Sequence, residues 1–102
     1  MNNQELVYKI VSKIPKGKVT TYGIIAKTIG IKNPRVVGNI LHQNKNPEVV
    51  PCHRVVNRLG KAADNYAFGG KEAQRKRLED EGIIFENDKI DLDKFLWIPP
   101  SD

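Results

Sequence analysis

The chain's one cysteine, Cys52, stands in the run Pro51-Cys52-His53-Arg54, where the sequence has the residue types for covalent chemistry. A thiol attacks as its thiolate, and a neighbouring imidazole or cation favours loss of the proton. His53 and Arg54 are residues of those types, and a buried acid elsewhere could complete a cysteine–histidine–acid relay. Adjacency alone does not produce that geometry. Consecutive side chains of a strand point to opposite faces, so a turn is required to bring sulfur and ring together. The competing reading is a buried structural cysteine, the commoner fate of a lone thiol. One cysteine and two histidines make a poor zinc site. One cysteine also forms no internal disulfide, which points to a reducing, intracellular compartment.

The elements that must position this run are read from hydrophobic spacing. Leu6, Val7, Ile10, Val11 and Ile14 recur at helical intervals and predict an amphipathic helix over 4–13, stopped by Pro15 and Gly17. Thr20 or Thr21 can cap a second helix from Tyr22 to about Ile29, which Gly30 ends. Asn33 as N-cap and Pro34 as first helical residue predict a third helix to about His42, with Val37, Ile40 and Leu41 inward. Two short helices joined by a tight turn outline a helix-turn-helix, whose second helix enters the DNA major groove; most helix pairs are simply packed. Residues 43–51 read as a loop becoming extended, 54–57 as a short strand, and 58–70 as irregular. A charged helix spans Lys71–Glu81 and stops at Gly82, its run Arg75-Lys76-Arg77 read as a solvated face. Ile83-Ile84-Phe85 and Lys89-Ile90-Asp91 straddle a turn and predict a hairpin or wing. Phe95-Leu96-Trp97-Ile98 docks aromatics onto the domain before Pro99-Pro100 closes it.

Length and composition suit one soluble domain over residues 1–102, with 39% hydrophobic and 28% charged residues. No apolar run approaches the roughly 20 residues that span a bilayer, and the N-terminus lacks the basic-then-apolar order of a secretion signal. No membrane partner is expected. The net charge of +5 favours a polyanionic partner such as DNA, through contacts that weaken steeply with salt.

Pro51-Cys52-His53-Arg54-Val55-Val56 resembles the active-site signature of the O6-alkylguanine-DNA alkyltransferases. Ile14-Pro15-Lys16-Gly17-Lys18-Val19-Thr20-Thr21-Tyr22-Gly23 is similar to that family's approach to its helix-turn-helix. Arg35-Val36-Val37-Gly38-Asn39-Ile40-Leu41 resembles its recognition helix. Asn44 stands eight residues before the cysteine, as in the pattern, and Glu81-Gly82 resembles the pair that ends the last core helix. The resemblance covers roughly residues 4–85 and corresponds to the family's C-terminal catalytic domain alone.

It implies a mainly helical fold with a small β wing, of winged helix-turn-helix type. It also implies irreversible transfer of an alkyl group from O6-alkylguanine in double-stranded DNA to Cys52. On this resemblance His53 acts as base through a water, Glu81 orients His53, and Asn44 holds the active-site turn. Thr21, Tyr22, Arg35, Val55 and Tyr66 form the DNA- and lesion-binding set. Tyr22 presses on the target phosphate and Arg35 fills the space left by the extruded base. The carbonyls of Cys52 and Val55 accept from the guanine amino group, and Tyr66 lies on the base or donates to its O6. Such chemistry needs base flipping, at a cost of a few kcal/mol, and requires no metal or organic cofactor. The expected state is a monomer, cytoplasmic (nucleoid-associated in a bacterium, nuclear in a eukaryote), with Cys52 ionised at the mouth of a cavity.

Two departures keep an alternative open. The 58–70 loop carries an extra residue before Tyr66, and Phe68 stands where small residues are usual; the turn before Arg35 is one residue short. The tail from Gln74 to Trp97 resembles the alkyltransferase-like proteins. These non-enzymatic relatives usually have tryptophan at the nucleophile position and flag O6-alkylguanine for nucleotide excision repair proteins, which would then be further partners.

Overall fold

In the computed structural model, residues 1–63 and 66–100 are described. Helix α1 (Asn3–Val11) begins where the Asn2 side chain accepts from the Glu5 amide at 2.8 Å, and it buries Val7 and Val11. It starts one residue earlier and ends two earlier than its apolar spacing predicts. Past Val11 the backbone tightens, with Lys13 N–H on Ile10 O and Ile14 N–H on Val11 O. Helix α2 (Tyr22–Ile29) is capped by Thr21, whose hydroxyl accepts from Ile24 N, and ends at Gly30 with φ +80°. Helix α3 (Pro34–His42) is capped by Asn33 with Pro34 in its first turn, as predicted. The three helices pack on one another around Val7, Val11, Ile25, Ala26, Val37 and Leu41.

The remainder differs more from the sequence reading. Cys52–Arg54 forms a single 3-10 turn, and the strand predicted at 54–57 is only β2 (Val55–Val56). It pairs in parallel with β1 (Thr20–Thr21), in the register Thr20 to Val55 and Thr21 to Val56. A two-residue strand shows no alternation, so nothing local announces this pairing. Helix α4 (Gly70–Asp80) starts one residue before and ends one residue before its predicted limits, with Gly82 at φ +94° turning the chain away. The predicted wing forms, with arms shorter than the 83–85 and 89–91 of the sequence reading: β3 (Phe85–Glu86) pairs antiparallel with β4 (Lys89–Ile90), and Glu86 belongs to the strand, not the turn. Asn87 and Asp88 both have positive φ, as a type I′ turn requires. Helix α5 (Leu92–Phe95), read in the sequence only as part of a docking tail, is capped by Asp91.

The tail docks by backbone as well as by aromatics. Val19 N–H donates to Phe95 O, and Trp97 N–H donates to Val19 O at 2.7 Å. Val19 therefore sits beside the tail while the next two residues pair with β2. A second buried cluster, Val19, Val56, Leu78, Ile83 and Ile90, joins this junction to α4 and the wing. Pro99 is buried at the end of the tail. Among the described residues no helix is long and apolar enough to cross a membrane.

Gly60 locks the wing to the central junction. It has φ +79°, its carbonyl accepts from Ile90 N at 2.9 Å, and a Cβ there would stand 2.5 Å from Ile90 O. Gly60→Ala therefore meets both left-handed strain and a backbone clash. We expect a loss of about 2–3 kcal/mol in urea unfolding, with helix content retained below the transition.

Candidate functional site

The turn that the Cys–His run requires starts at Pro51. Its ring favours φ near −75°, and with ψ 71° the residue forms an inverse γ-turn, in which Cys52 N–H donates to Val50 O at 2.7 Å. The 3-10 turn follows, with Arg54 N–H on Pro51 O and Val55 N–H on Cys52 O. At about three residues per turn, neighbouring side chains no longer oppose each other as they would in a strand.

Asn44, buried just past the end of α3, holds this turn from the other side. Its amide donates to Val50 O at 2.8 Å and reaches Cys52 Sγ at 3.5 Å, while its oxygen accepts from Asn46 N. His53 is buried, and its Nε2 lies 3.1 Å from Glu81 Oε2. Arg54 forks onto the same carboxylate, Nε to Oε1 at 3.0 Å and Nη2 to Oε2 at 2.6 Å, and donates from Nη1 to Ile14 O. An ionised carboxylate only accepts, so Nε2 of His53 carries the proton towards Glu81 and Nδ1 keeps its lone pair. Nδ1 is buried and has no hydrogen-bond partner among the described residues.

The charge states follow from burial. Cys52 is only 5% exposed, and desolvation pushes its thiol above the ordinary value, against the opposing effects of Asn44, its own backbone and Arg77. This corrects the expectation of an ionised sulfur: the resting thiol is neutral. Desolvation likewise lowers His53 despite its contact with Glu81, so the ring is neutral as well. Partial burial alone would raise Glu81, but hydrogen bonds from Arg54 and His53 outweigh it and hold the carboxyl below the usual range.

Tyr66 and Cys52 lie in one buried cluster, and Tyr22 packs against it. Burial, with repulsion from Cys52 added, pushes the Tyr22 hydroxyl up to about 12. Tyr66 is also raised by burial, against the effect of Arg77, which donates to its hydroxyl at 3.1 Å. Its ring meets Phe68 edge-on. The extra residue expected ahead of Tyr66 falls where residues 64 and 65 lie outside the described residues. Arg35 is exposed at the start of α3. With Tyr22, Pro34, Gly38 and Asn39 it borders a depression of about 540 Å³. Thr21 serves as the helix cap described above.

The Val55 carbonyl accepts from Gln74 Nε2 at 2.8 Å and the Cys52 carbonyl from Val55 N, and each oxygen keeps a second lone pair. One feature differs from the sequence reading. The run 75–77 is not uniformly solvated. Arg75 pairs with Asp88 at 2.7 Å and covers the Phe85 ring, while Arg77 engages Tyr66. Sequence reasoning missed Gln74 as a site-builder and read Arg54 only as a cation near the thiol, whereas it binds Glu81 and the Ile14 carbonyl. Fully buried Gln74 donates to the carbonyls of His53 and Val55 and accepts from Ala63 N at 2.7 Å. A signal was present: Gln74 precedes buried Leu78 by four residues and so shares its inward face.

Residues 2–83 match the family described as the 6-O-methylguanine DNA methyltransferase, DNA-binding domain. The chain belongs to this family. It is 38% identical over 100 residues to alkyltransferase-like protein 1 of Schizosaccharomyces pombe, covering 91% of this chain and 92% of that one. It is 37% identical over 83 residues to the methylated-DNA–protein-cysteine methyltransferase of Methanothermobacter thermautotrophicus, covering 81% of this chain but 46% of the relative. The fold superposes on S. pombe Atl1 bound to damaged DNA containing O6-carboxymethylguanine with TM-score 0.82, 34% identity and 94% of both chains covered. On the O6-methylguanine methyltransferase of Mycobacterium tuberculosis the TM-score is 0.68, at 36% identity, with 79% of this chain and 48% of that one covered. The chain thus spans nearly all of the alkyltransferase-like relative and about half of these two methyltransferases.

Two outcomes test the site's construction. Gln74→Met keeps the volume but strands one buried amide and weakens two carbonyls; a loss of about 3 kcal/mol is expected in urea unfolding. Acid should also weaken the fold in two stages. The unfolded chain takes up the His53 proton as pH falls below about 6.5, and the Glu81 proton below about 4.5, before the folded chain does. Urea midpoints should therefore fall from pH 7 to 6 to 4, and a flat profile would contradict the buried neutral ring and the depressed carboxyl.

Proposed function

We propose that this chain is a DNA-repair domain that binds duplex DNA containing O6-alkylguanine, turns the damaged nucleotide out of the stack, and takes its alkyl group onto Cys52 Sγ. The observation that carries the reading is the Glu81 carboxylate at Nε2 of His53, with the buried Nδ1 left unpartnered among the described residues. Glu81 occupies the protonated Nε2, so the free lone pair of Nδ1 belongs to the residue adjoining the thiol. A neutral thiol followed in the chain by a neutral imidazole suits general-base activation at the moment of attack. The thiol proton passes to His53 through a water, and sulfur displaces guanine O6 at the alkyl carbon. The C–O bond breaks as the S–C bond forms, and the leaving guanine takes a proton from the Tyr66 hydroxyl. Arg77 donates to the same oxygen and favours that release. Arg35, at the exposed start of α3, fills the stack, and Tyr22, which borders the same depression, presses the backbone. The thioether is not reversed by water, so each molecule acts once.

A second reading is lesion binding without transfer, followed by nucleotide excision repair. It is favoured by the near-complete coverage of alkyltransferase-like protein 1 and by the burial of the thiol. Intact-mass spectrometry after incubation with an O6-methylguanine duplex separates the two. Transfer adds about 14 Da, localised to Cys52 and absent in Cys52→Ser, and Glu81→Gln slows it by roughly 100-fold. Tight lesion binding with unchanged mass supports the second reading instead.

A further inference from the structure

A cleft of about 710 Å³ lies between α1, α2 and the tail, sharing no lining residue with the Tyr22–Arg35 depression. Both helices present half-buried apolar residues there, at the margin of their core-facing stripes. On α1 these are Leu6 and Ile10, beside the buried Val7 and Val11; on α2 it is Ile24, beside the buried Ile25 and Ala26. Trp97 forms the third wall, and Ile98 at its lip is 60% exposed. Lys9, Lys13 and Lys27, all exposed, stand around this floor, and none of its described lining residues is acidic.

We propose that this cleft docks an acidic, amphipathic segment of a partner protein, its Leu or Phe side chains on the Leu6–Ile10–Ile24–Trp97 floor and its carboxylates on the three lysines. The volume is that of an ordinary ligand-holding cleft, and an amphipathic helix laid in an apolar groove is a recurrent mode of protein recognition. Charge complementarity selects the occupant. A rim of one sign around an apolar floor matches a segment carrying carboxylates and apolar side chains together. Duplex DNA offers the charge without aliphatic groups to cover Ile98 and the floor.

Trp97 is the chain's only tryptophan and so reports on the cleft directly. The probe is a fluorescein-labelled helical peptide with Glu along one face and Leu and Phe along the other, added to the full chain without DNA. The proposal expects saturable anisotropy, a shift in Trp97 emission, and binding at least about tenfold weaker in Lys9→Glu/Lys13→Glu/Lys27→Glu. A similar loss is expected in Ile98→Asn, and for an equally acidic peptide with Ser in place of Leu and Phe. These positions are exposed, and circular dichroism checks that each variant folds. No binding, binding indifferent to the lysine reversal, or equal affinity for the serine peptide overturns the proposal. Displacement of the peptide by an undamaged duplex that itself shifts Trp97, with both effects lost in the triple variant, assigns the cleft to DNA and overturns it too. Because no lesion is present, failure here leaves the reading of the Cys52 site untouched.

Discussion

The Glu81 carboxylate is the point on which the site depends. It sits at the end of α4 and receives the fork of Arg54 and the ring of His53, while the same guanidinium reaches the carbonyl of Ile14 beyond α1. Three parts of the chain, distant in sequence, are thereby pinned together. A two-pronged arginine–carboxylate contact fixes orientation as well as distance. Because the group is half withdrawn from water, loss of one partner would leave the other inadequately solvated. The interaction is therefore better understood as setting geometry than as a source of net stability.

From that point the chemistry of the turn follows. With Glu81 ionised, His53 holds its proton on Nε2, and burial keeps both the ring and the Cys52 thiol neutral. Cys52 and His53 thus rest neutral through exclusion of water, not as a thiolate–imidazolium pair. Helix α4 supplies most of the framework from one face. Gln74 binds the carbonyls on either side of Arg54, Arg77 holds Tyr66, and Glu81, one residue past the helix, holds the histidine. Positions three and seven residues apart fall on one side of a helix, which is why a segment so rich in charge can organise a buried turn.

The two apolar clusters divide the work. The first joins α1, α2 and α3 to Cys52 and Tyr66, so the helix pair and the thiol share one rigid body. The second joins α4, the wing and the tail through Val19, which precedes β1, and Val56, which pairs with Thr21 in β2. That short parallel pairing connects the cap of α2 to the turn carrying Cys52, and it sets their spacing although it spans only two residues per strand.

The sequence by itself determined the three-helix start, its caps at Asn33 and Gly30, the wing with its Asn87-Asp88 turn, and the Pro51–Arg54 run. All of these are local: apolar spacing, a side-chain oxygen reaching an amide two or three residues on, or a glycine or asparagine tolerating positive φ. It also singled out His53 by its place beside the cysteine, and Asn44 and Glu81 through resemblance of motifs rather than through any local physical signal. Only the tertiary structure decided that β2 pairs with β1, that Gln74 and Arg77 face the site, and that Glu81 meets both His53 and Arg54. It also reversed the expected charge of Cys52. Those outcomes depend on which groups are removed from water and on what lies across from them, and such neighbours are set by packing between segments tens of residues apart.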